Sequence, residues 1–236
     1  MAIADIRRDY TAGQLDRGDL MADPLAQFER WFAEAARARS AGGRFRRFAI
    51  GLYKSFATLF GGPNLEVNAM QLATVGPNGR PSVRTVLLKG VDARGFIFYT
   101  NYESRKGREL AANAHAALVF YWPELERQVC IGGTVTKLPR PESEAYFHSR
   151  PRGSQIAAAA SHQSRPVANR QELEARVREL EKKYAGQPVP MPEEWGGYVL
   201  APDRIEFWQG RASRLHDRFE FTRTAEGRWE VTRLSP

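Results

Sequence analysis

The sequence predicts an α+β fold that is mainly β, with helices flanking one small antiparallel barrel. Before about residue 65 the apolar residues recur at helical spacing. After it they fall into short runs of strand length separated by glycine-bearing turns, as in antiparallel hairpins. Further helical stretches interrupt the strands, with no internal repeat.

Residues 1–22 are a polar N-terminal arm, with Arg7, Arg8, Asp9 and Tyr10 as its notable group. Frayed termini commonly have this composition. Asp23 is placed to cap a helix and Pro24 to occupy its first position. Leu25, Phe28, Trp31, Phe32 and Ala35 mark its buried face. Glycine pairs then bracket residues 41–62, AGGRFRRFAIGLYKSFATLFGG. Phe45, Phe48, Leu52, Phe56, Leu59 and Phe60 form one stripe, with Arg46, Arg47 and Lys54 off it. This pattern predicts an inserted amphipathic basic helix, able to dock on its own domain, a partner or an anionic membrane surface.

Strands are expected over 68–75, 82–91 and 95–101 as a meander, and again over 116–122 and 127–137. Ser104 is expected to cap a helix running through Ala112, and the cations Arg105 and Lys106 at its start favour a phosphate. A helix from Pro141 carries Tyr146 and Arg150. Either it continues and aligns them with Ser154, or Pro151 breaks it and Ser154 caps a second helix over 155–160. Both geometries let the three polar groups converge on one anion. Asn169–Tyr184 is a charged helix with Leu173, Val177, Leu180 and Tyr184 as its buried stripe. Strands over 196–200, 204–208, 219–224 and 228–234 close the chain.

At 236 residues and 42% hydrophobic, the chain can bury a real core. It has no apolar run of about 18 residues, so no integral membrane segment is expected. The opening MAIADIRRDY lacks the apolar region of a secretory signal. Cys130 is alone, which excludes an intrachain disulfide and a cysteine-built metal site. No metal is expected, and a cytoplasmic protein is the simplest reading. A net charge of +8 favours anionic partners. The arginines stand singly or in pairs near glycine, serine and aromatic residues. That pattern fits phosphate pockets better than a nucleic-acid stripe, so no nucleic-acid partner is expected.

The most informative stretch is EFWQGRASRLHDR, residues 206–218. Trp208 offers a flat face, Arg211, Arg214 and Arg218 planar forks, and His216 a group that titrates near neutrality. Strand spacing would put Arg214, His216 and Arg218 on one face, a site for a flat, anionic, proton-exchanging ligand. A basic surface strand has the same composition.

Taken together, RTVLLKG (84–90), FYTNYESRKG (98–107), LERQV (125–129), YFHSRPRGSQI (146–156), SHQS (161–164), WGGY (195–198), EFWQGRASRLHDR (206–218) and RLSP (233–236) resemble the pyridoxine (pyridoxamine) 5′-phosphate oxidase family. RRDY (7–10) and ADPLAQFERW (22–31) extend the likeness to the N-terminus. The resemblance implies a single FMN-binding split β-barrel domain over 1–236, working as a homodimer with FMN at the subunit interface. It implies FMN contacts from Arg84, Thr85, Val86, Leu87, Leu88, Lys89, Tyr99, Thr100, Arg105, Lys106, Gln128, Gln163, Ser164, Trp208 and Arg218. The substrate set is Lys89, Tyr146, Arg150 and Ser154 for the phosphate, and Arg214, Leu215 and His216 by the pyridine ring. Arg7, Arg8, Asp9 and Tyr10 form a cover.

The implied reaction is oxidation of pyridoxamine or pyridoxine 5′-phosphate at C4′ to pyridoxal 5′-phosphate, with O2 reduced to H2O2. Arg214 and His216 are the implied catalytic residues. Guanidinium stays protonated, so Arg214 suits orientation and electrostatics; His216 either exchanges a proton or hydrogen-bonds the substrate. The chain departs from the family at Ala157–Ala160, where relatives often carry glycine and tryptophan, and in the 41–62 insertion. Another flavin or haem protein on the same barrel, or a non-enzymatic pyridoxal-phosphate binder, are the alternatives.

Overall fold

The computed structural model describes residues 2–5, 9–49 and 66–236, with Ala4 and residues 39–49 described by backbone alone. Helix α1 (Pro24–Ala49) starts where Asp23 caps it, the carboxylate accepting the Leu25 N–H at 3.0 Å. Phe28, Trp31 and Ala35 form its buried face. The helix continues through Gly42 and Gly43 instead of ending there. A helical glycine costs only about 1 kcal/mol, too little to stop a helix by itself. Residues 41–49 therefore prolong α1 and do not open a separate helix. The rest of the expected inserted helix, 50–62, lies outside the described residues, as do Arg7 and Arg8.

The strands are β1 (Ala69–Val75), β2 (Pro81–Leu87), β3 (Gly90–Asp92), β4 (Gly95–Asn101), β5 (His115–Trp122), β6 (Arg127–Lys137), β7 (Trp195–Gln209), β8 (Asp217–Arg223) and β9 (Trp229–Leu234). Their hydrogen-bonding order is β2-β1-β5-β6-β7-β4-β3, with β8 on β7 and β9 on β8. The expected 82–91 strand is broken at Leu88-Lys89: β2 pairs β1 and β3 pairs β4, as the turns predict, but the two halves lie at opposite ends of the hydrogen-bonding order. β3 pairs β4, and β4 then pairs β7 antiparallel, Phe96 opposite Leu200. The two strands expected over 196–208 are one, running through Pro202. These corrections share a cause: long-range pairing, invisible to local periodicity, decides which extended segments join.

The chain divides into two compact units. The first comprises residues 1–72, 117–132 and 202–236. Its core sets Phe28 against Phe120 at 4.9 Å and Trp31 edge-on to Phe207 at 5.2 Å. The Arg127 guanidinium lies over the Trp31 ring, 4.4 Å from its centroid.

The second unit comprises 73–116 and 133–201 and holds α2 (Arg105–Ala112), α3 (Arg140–Ser149), α4 (Arg152–Ala160) and α5 (Arg170–Lys183). One of its clusters is Phe147, Ile156, Val189, Met191 and Trp195, against which Val177, Leu180 and Tyr184 of the α5 stripe pack half-buried. Leu173 stays exposed. Arg150 is extended (φ −74°, ψ 151°), as the following proline requires, so α3 and α4 are separate helices. Pro151, not Ser154, takes the N-cap position of α4. Ser154 lies inside the first turn, its N–H on the Pro151 carbonyl at 2.8 Å.

Candidate active site

The second unit contains a pocket of about 730 Å³. β2 and the residues after it supply Thr85, Val86, Leu87 and Lys89 to its wall, and β4 supplies Tyr99 and Thr100. Lys106 comes from α2, Tyr146 from α3, Arg150 from the α3–α4 break and Ser154 from the first turn of α4. Gln163 and Trp195 complete its polar and aromatic lining, with Ala157, Ala158 and Val177 adding apolar wall.

Ser104 caps α2 by accepting the Gly107 N–H at 3.2 Å, as the sequence predicts. Gly107 is required there, because a Cβ would come within 2.0 Å of the Tyr102 carbonyl oxygen. The cap fixes Lys106 in a buried position. Its ammonium donates to Thr100 Oγ1 at 3.1 Å, Gln163 Oε1 at 3.1 Å and Ser104 Oγ at 3.4 Å. None of these acceptors is a carboxylate. Burial first, then repulsion from Arg84, lower its pKa to about 8, against a weaker pull from Glu109. A buried cation held only by neutral oxygens is matched to an incoming anion.

Arg150 is the second cation. Its guanidinium carbon lies 4.9 Å from the Trp195 ring centroid, and the buried Nη1 has no hydrogen-bond partner. Such an orphaned donor is costly unless a ligand satisfies it. Beside it three rings stack, Tyr146 on Tyr99 at 3.9 Å and Tyr99 on Trp195 at 5.5 Å. Burial chiefly raises the Tyr99 phenol to about 12, so it stays protonated.

Not every expected cofactor residue reaches this pocket. Arg84 and Arg105 converge on Glu109 at 3.0 and 2.9 Å. Thr74 and Ser82 also donate to that carboxylate, at 2.5 and 2.6 Å. Burial would raise the Glu109 pKa, but these donors outweigh it and hold the carboxyl at about 2. Leu88 is buried. Ser164 is exposed, with a left-handed backbone at φ 68°.

The remaining predicted residues belong to the first unit. Tyr10 packs edge-on to Trp208 at 5.6 Å and to His216 at 5.7 Å, and Trp208 lies 4.6 Å from His216. Asp9 is exposed. Gln128 donates to Cys130 Sγ at 3.3 Å. Arg218 makes a bidentate pair with Glu206 at 2.8 and 3.0 Å. A cavity of about 390 Å³ is lined by Leu215, His216, Arg218 and Arg233, among others.

The sequence places Arg214, His216 and Arg218 on one strand; the structure does not. β7 ends at Gln209, and a 3₁₀ turn over Ala212–Arg214 precedes β8. Ser213 and Arg214 have φ of 55° and 62°, a left-handed pair that strand spacing cannot describe. Arg214 and Leu215 are exposed. The Arg211 N–H donates to His216 Nδ1 at 3.1 Å, which leaves the ring proton on Nε2. Burial, then Arg214 and Arg218, lower the His216 pKa, with Asp217 opposing.

Sequence reasoning missed the carboxylates Glu109, Glu206 and Glu126 and the ring of Trp195. Trp195 was signalled by the aromatic opening the WGGY run. Glu109 had one local signal, Arg105 four residues before it on the same helix. Glu206 and Glu126 had none, because Arg218 lies across a turn and Ala12 is distant in the chain.

A mainly antiparallel sheet with flanking helices, and a pocket pairing aromatic rings with the buried Lys106 and the half-buried Arg150, fit the flavin-binding split-barrel class. Residues 64–184 match the family model of pyridoxamine 5′-phosphate oxidase, and residues 195–236 match the C-terminal dimerisation region of pyridoxine 5′-phosphate oxidase. A pyridoxine/pyridoxamine 5′-phosphate oxidase of Rubrobacter xylanophilus is 52% identical, covering 99% of this chain and 96% of its own. One from Ralstonia nicotianae is also 52% identical, covering 100% and 99%. Among solved structures, PhzG from Burkholderia lata, in complex with tetrahydrophenazine-1-carboxylic acid, aligns with a TM-score of 0.78 at 32% identity, over 93% of this chain and 95% of its own.

The chain belongs to the pyridoxamine 5′-phosphate oxidase family, and it is an FMN-dependent oxidoreductase. Among the described residues no helix is long and apolar enough to cross a membrane, and no cluster of three or more His, Cys, Asp or Glu could hold a metal.

Proposed function

We propose that the protein oxidises pyridoxamine 5′-phosphate and pyridoxine 5′-phosphate at C4′ to pyridoxal 5′-phosphate, as a homodimer with FMN at the subunit interface. The observation that carries this is the unpartnered, buried Arg150 Nη1 in a pocket that also holds Lys106. Two cations of one pocket, each lacking a carboxylate hydrogen-bond partner, fit two phosphates: one of FMN, one of the substrate. The full-length relatives at 52% identity carry the name of that activity, and the matched dimerisation region supports the homodimer.

The pocket suits FMN. Lys106, with Thr100 and Gln163, would hold the cofactor's anionic and polar groups, and Thr85–Leu87 would supply backbone and apolar wall. When bound, FMN supplies a two-electron acceptor that O2 regenerates. Arg150, Ser154, Tyr146 and Lys89 would bind the substrate phosphate, and so fix the distance of C4′ from the cofactor. The resemblance gives Trp208 the role of apolar surface beside the cofactor, and Arg214 and His216 those of electrostatic orientation and an Nε2–H donor for the substrate. Because Nδ1 is already occupied by the Arg211 N–H, His216 acts as a hydrogen-bond donor and not as a base.

The test is anaerobic bleaching of the FMN-loaded protein by pyridoxine 5′-phosphate, followed by assay of aldehyde formation in air. Absence of both would refute the oxidase. The resemblance to PhzG gives a second reading, oxidation of a tricyclic carboxylic acid. Bleaching by a reduced phenazine carboxylate but not by the phosphorylated pyridine would select it.

A further inference from the structure

Residues Tyr10–Asp16 cross the first unit as a strap fastened at four points. The Ala12 N–H donates to Glu126 Oε2 at 2.8 Å. The Gly13 carbonyl accepts from Arg211 Nη1 at 3.3 Å. The Leu15 N–H donates to Asp217 Oδ2 at 3.1 Å, and Asp16 pairs with Arg233 at 2.7 Å. The Leu15 side chain is buried beneath it.

Glu126 is the fastening nearest to Tyr10. It is only 2% exposed, and its backbone is left-handed at φ 54°. Its carbonyl accepts the Gly210 N–H at 2.8 Å and Gln209 Nε2 at 3.3 Å. The same residue thus ties the end of β7 to the strap. Gly210 is required at the crossing: a Cβ there would lie 2.8 Å from Tyr10 Cγ and 3.1 Å from Glu126 Cβ. A strained backbone and a buried carboxylate are retained where the position they impose is needed.

We propose that Glu126 is a positioning residue for the substrate site: its carboxylate fixes the strap so that Tyr10 stays on the Trp208–His216 face. The role rests on the oxidase activity proposed above. Without the Ala12 bond the strap keeps its fastenings at 13, 15 and 16, but residues 10–12 regain backbone freedom. That freedom must be lost again whenever substrate binds, so the defect falls on KM and spares the chemical step.

The experiment uses the FMN-loaded enzyme and reads KM and kcat for pyridoxamine 5′-phosphate together with the rate of tryptic cleavage at or before Arg17. Glu126→Ala is expected to raise KM about tenfold, the size of one charge-assisted hydrogen bond, with kcat within about twofold. It also speeds cleavage. Ala12→Pro removes the N–H and leaves the buried carboxylate in place, so it gives the same result even where Glu126→Ala fails to fold. Glu126→Gln keeps an acceptor oxygen and restores both readouts. Tyr10→Ala combined with Glu126→Ala is no worse than Tyr10→Ala alone, because Glu126 acts through Tyr10.

Unchanged KM and cleavage in Ala12→Pro would overturn the proposal. So would losses that multiply in the double variant, or a Gln variant as impaired as the Ala variant. If the parent protein oxidises no phosphorylated pyridine, the oxidase reading fails, while the cleavage rates still decide whether Glu126 fastens the strap.

Discussion

Arg150 stacks on Trp195 at 4.9 Å while its buried Nη1 goes without a hydrogen-bond partner. The ring holds the guanidinium in place and leaves Nη1 for a ligand to bond. Arg150→Ala should therefore raise KM for pyridoxamine 5′-phosphate by about 10- to 100-fold, the range for losing charge-assisted bonds to a phosphate. FMN affinity should be unchanged. Steady-state kinetics beside a flavin titration would separate the two, and a loss of FMN with unchanged KM would reassign Arg150 to the cofactor.

Lys106 should make cofactor binding pH-dependent. Its pKa in the folded protein is about 8, below the ordinary 10.5, mainly because it is buried. A phosphate favours the charged form, so FMN affinity of the apoprotein should be full below pH 8 and fall as pH rises past it. The unfolded chain binds the extra proton between about 8 and 10.5, so this group makes the apoprotein more stable as pH rises through that window. Fluorescence titration with FMN at several pH values reads the first effect. In Lys106→Met both slopes should vanish.

Glu109 bridges Arg84 and Arg105. With its pKa held at about 2, below the ordinary 4.5, its stabilisation is complete above pH 4.5 and lost as pH falls through 2. Glu109→Ala leaves Arg84, Thr74 and Ser82 without their shared acceptor. It should cost about 2–3 kcal/mol in denaturant unfolding, near the lower end for breaking a buried ion pair. Glu109→Gln, which keeps one acceptor oxygen, should cost less. Equal stability of all three proteins would show that the carboxylate is dispensable.

His216 offers a sharper test of chemistry. With Nδ1 occupied and the pKa lowered, it is a neutral Nε2–H donor at neutral pH. His216→Gln places an amide N–H near the same position and should retain kcat within about tenfold, whereas His216→Leu should lose more. A general base contributes about 100-fold or more, so a Gln variant crippled to that degree would mean that proton transfer passes through His216.

Much of this molecule was legible locally. Asp23 and Pro24 announce α1, Ser104 announces α2, and Gly227 turns β8 into β9 with φ 81°. Each needs only a capping oxygen or a left-handed glycine, which are properties of a few adjacent residues. The cationic and aromatic residue types of the pocket were legible for the same reason. Periodicity failed at Gly42-Gly43, at Leu88-Lys89 and across Pro202, because neighbours in space outweigh propensities of at most about 1 kcal/mol.

The sequence by itself determined which chemistry the chain can hold: cations suited to phosphates, rings suited to a flat cofactor, and a lone histidine among arginines. Only the tertiary structure decided how those groups are deployed. It turned Arg84, Arg105 and Arg218 onto carboxylates and left Arg150 Nη1 unpartnered. It also bent Arg214 out of the strand and chose the tautomer of His216. Arg84 and Arg218 meet their carboxylates across 25 and 12 residues, and even the short reach from Arg211 to His216 depends on a left-handed turn that residue periodicity does not encode.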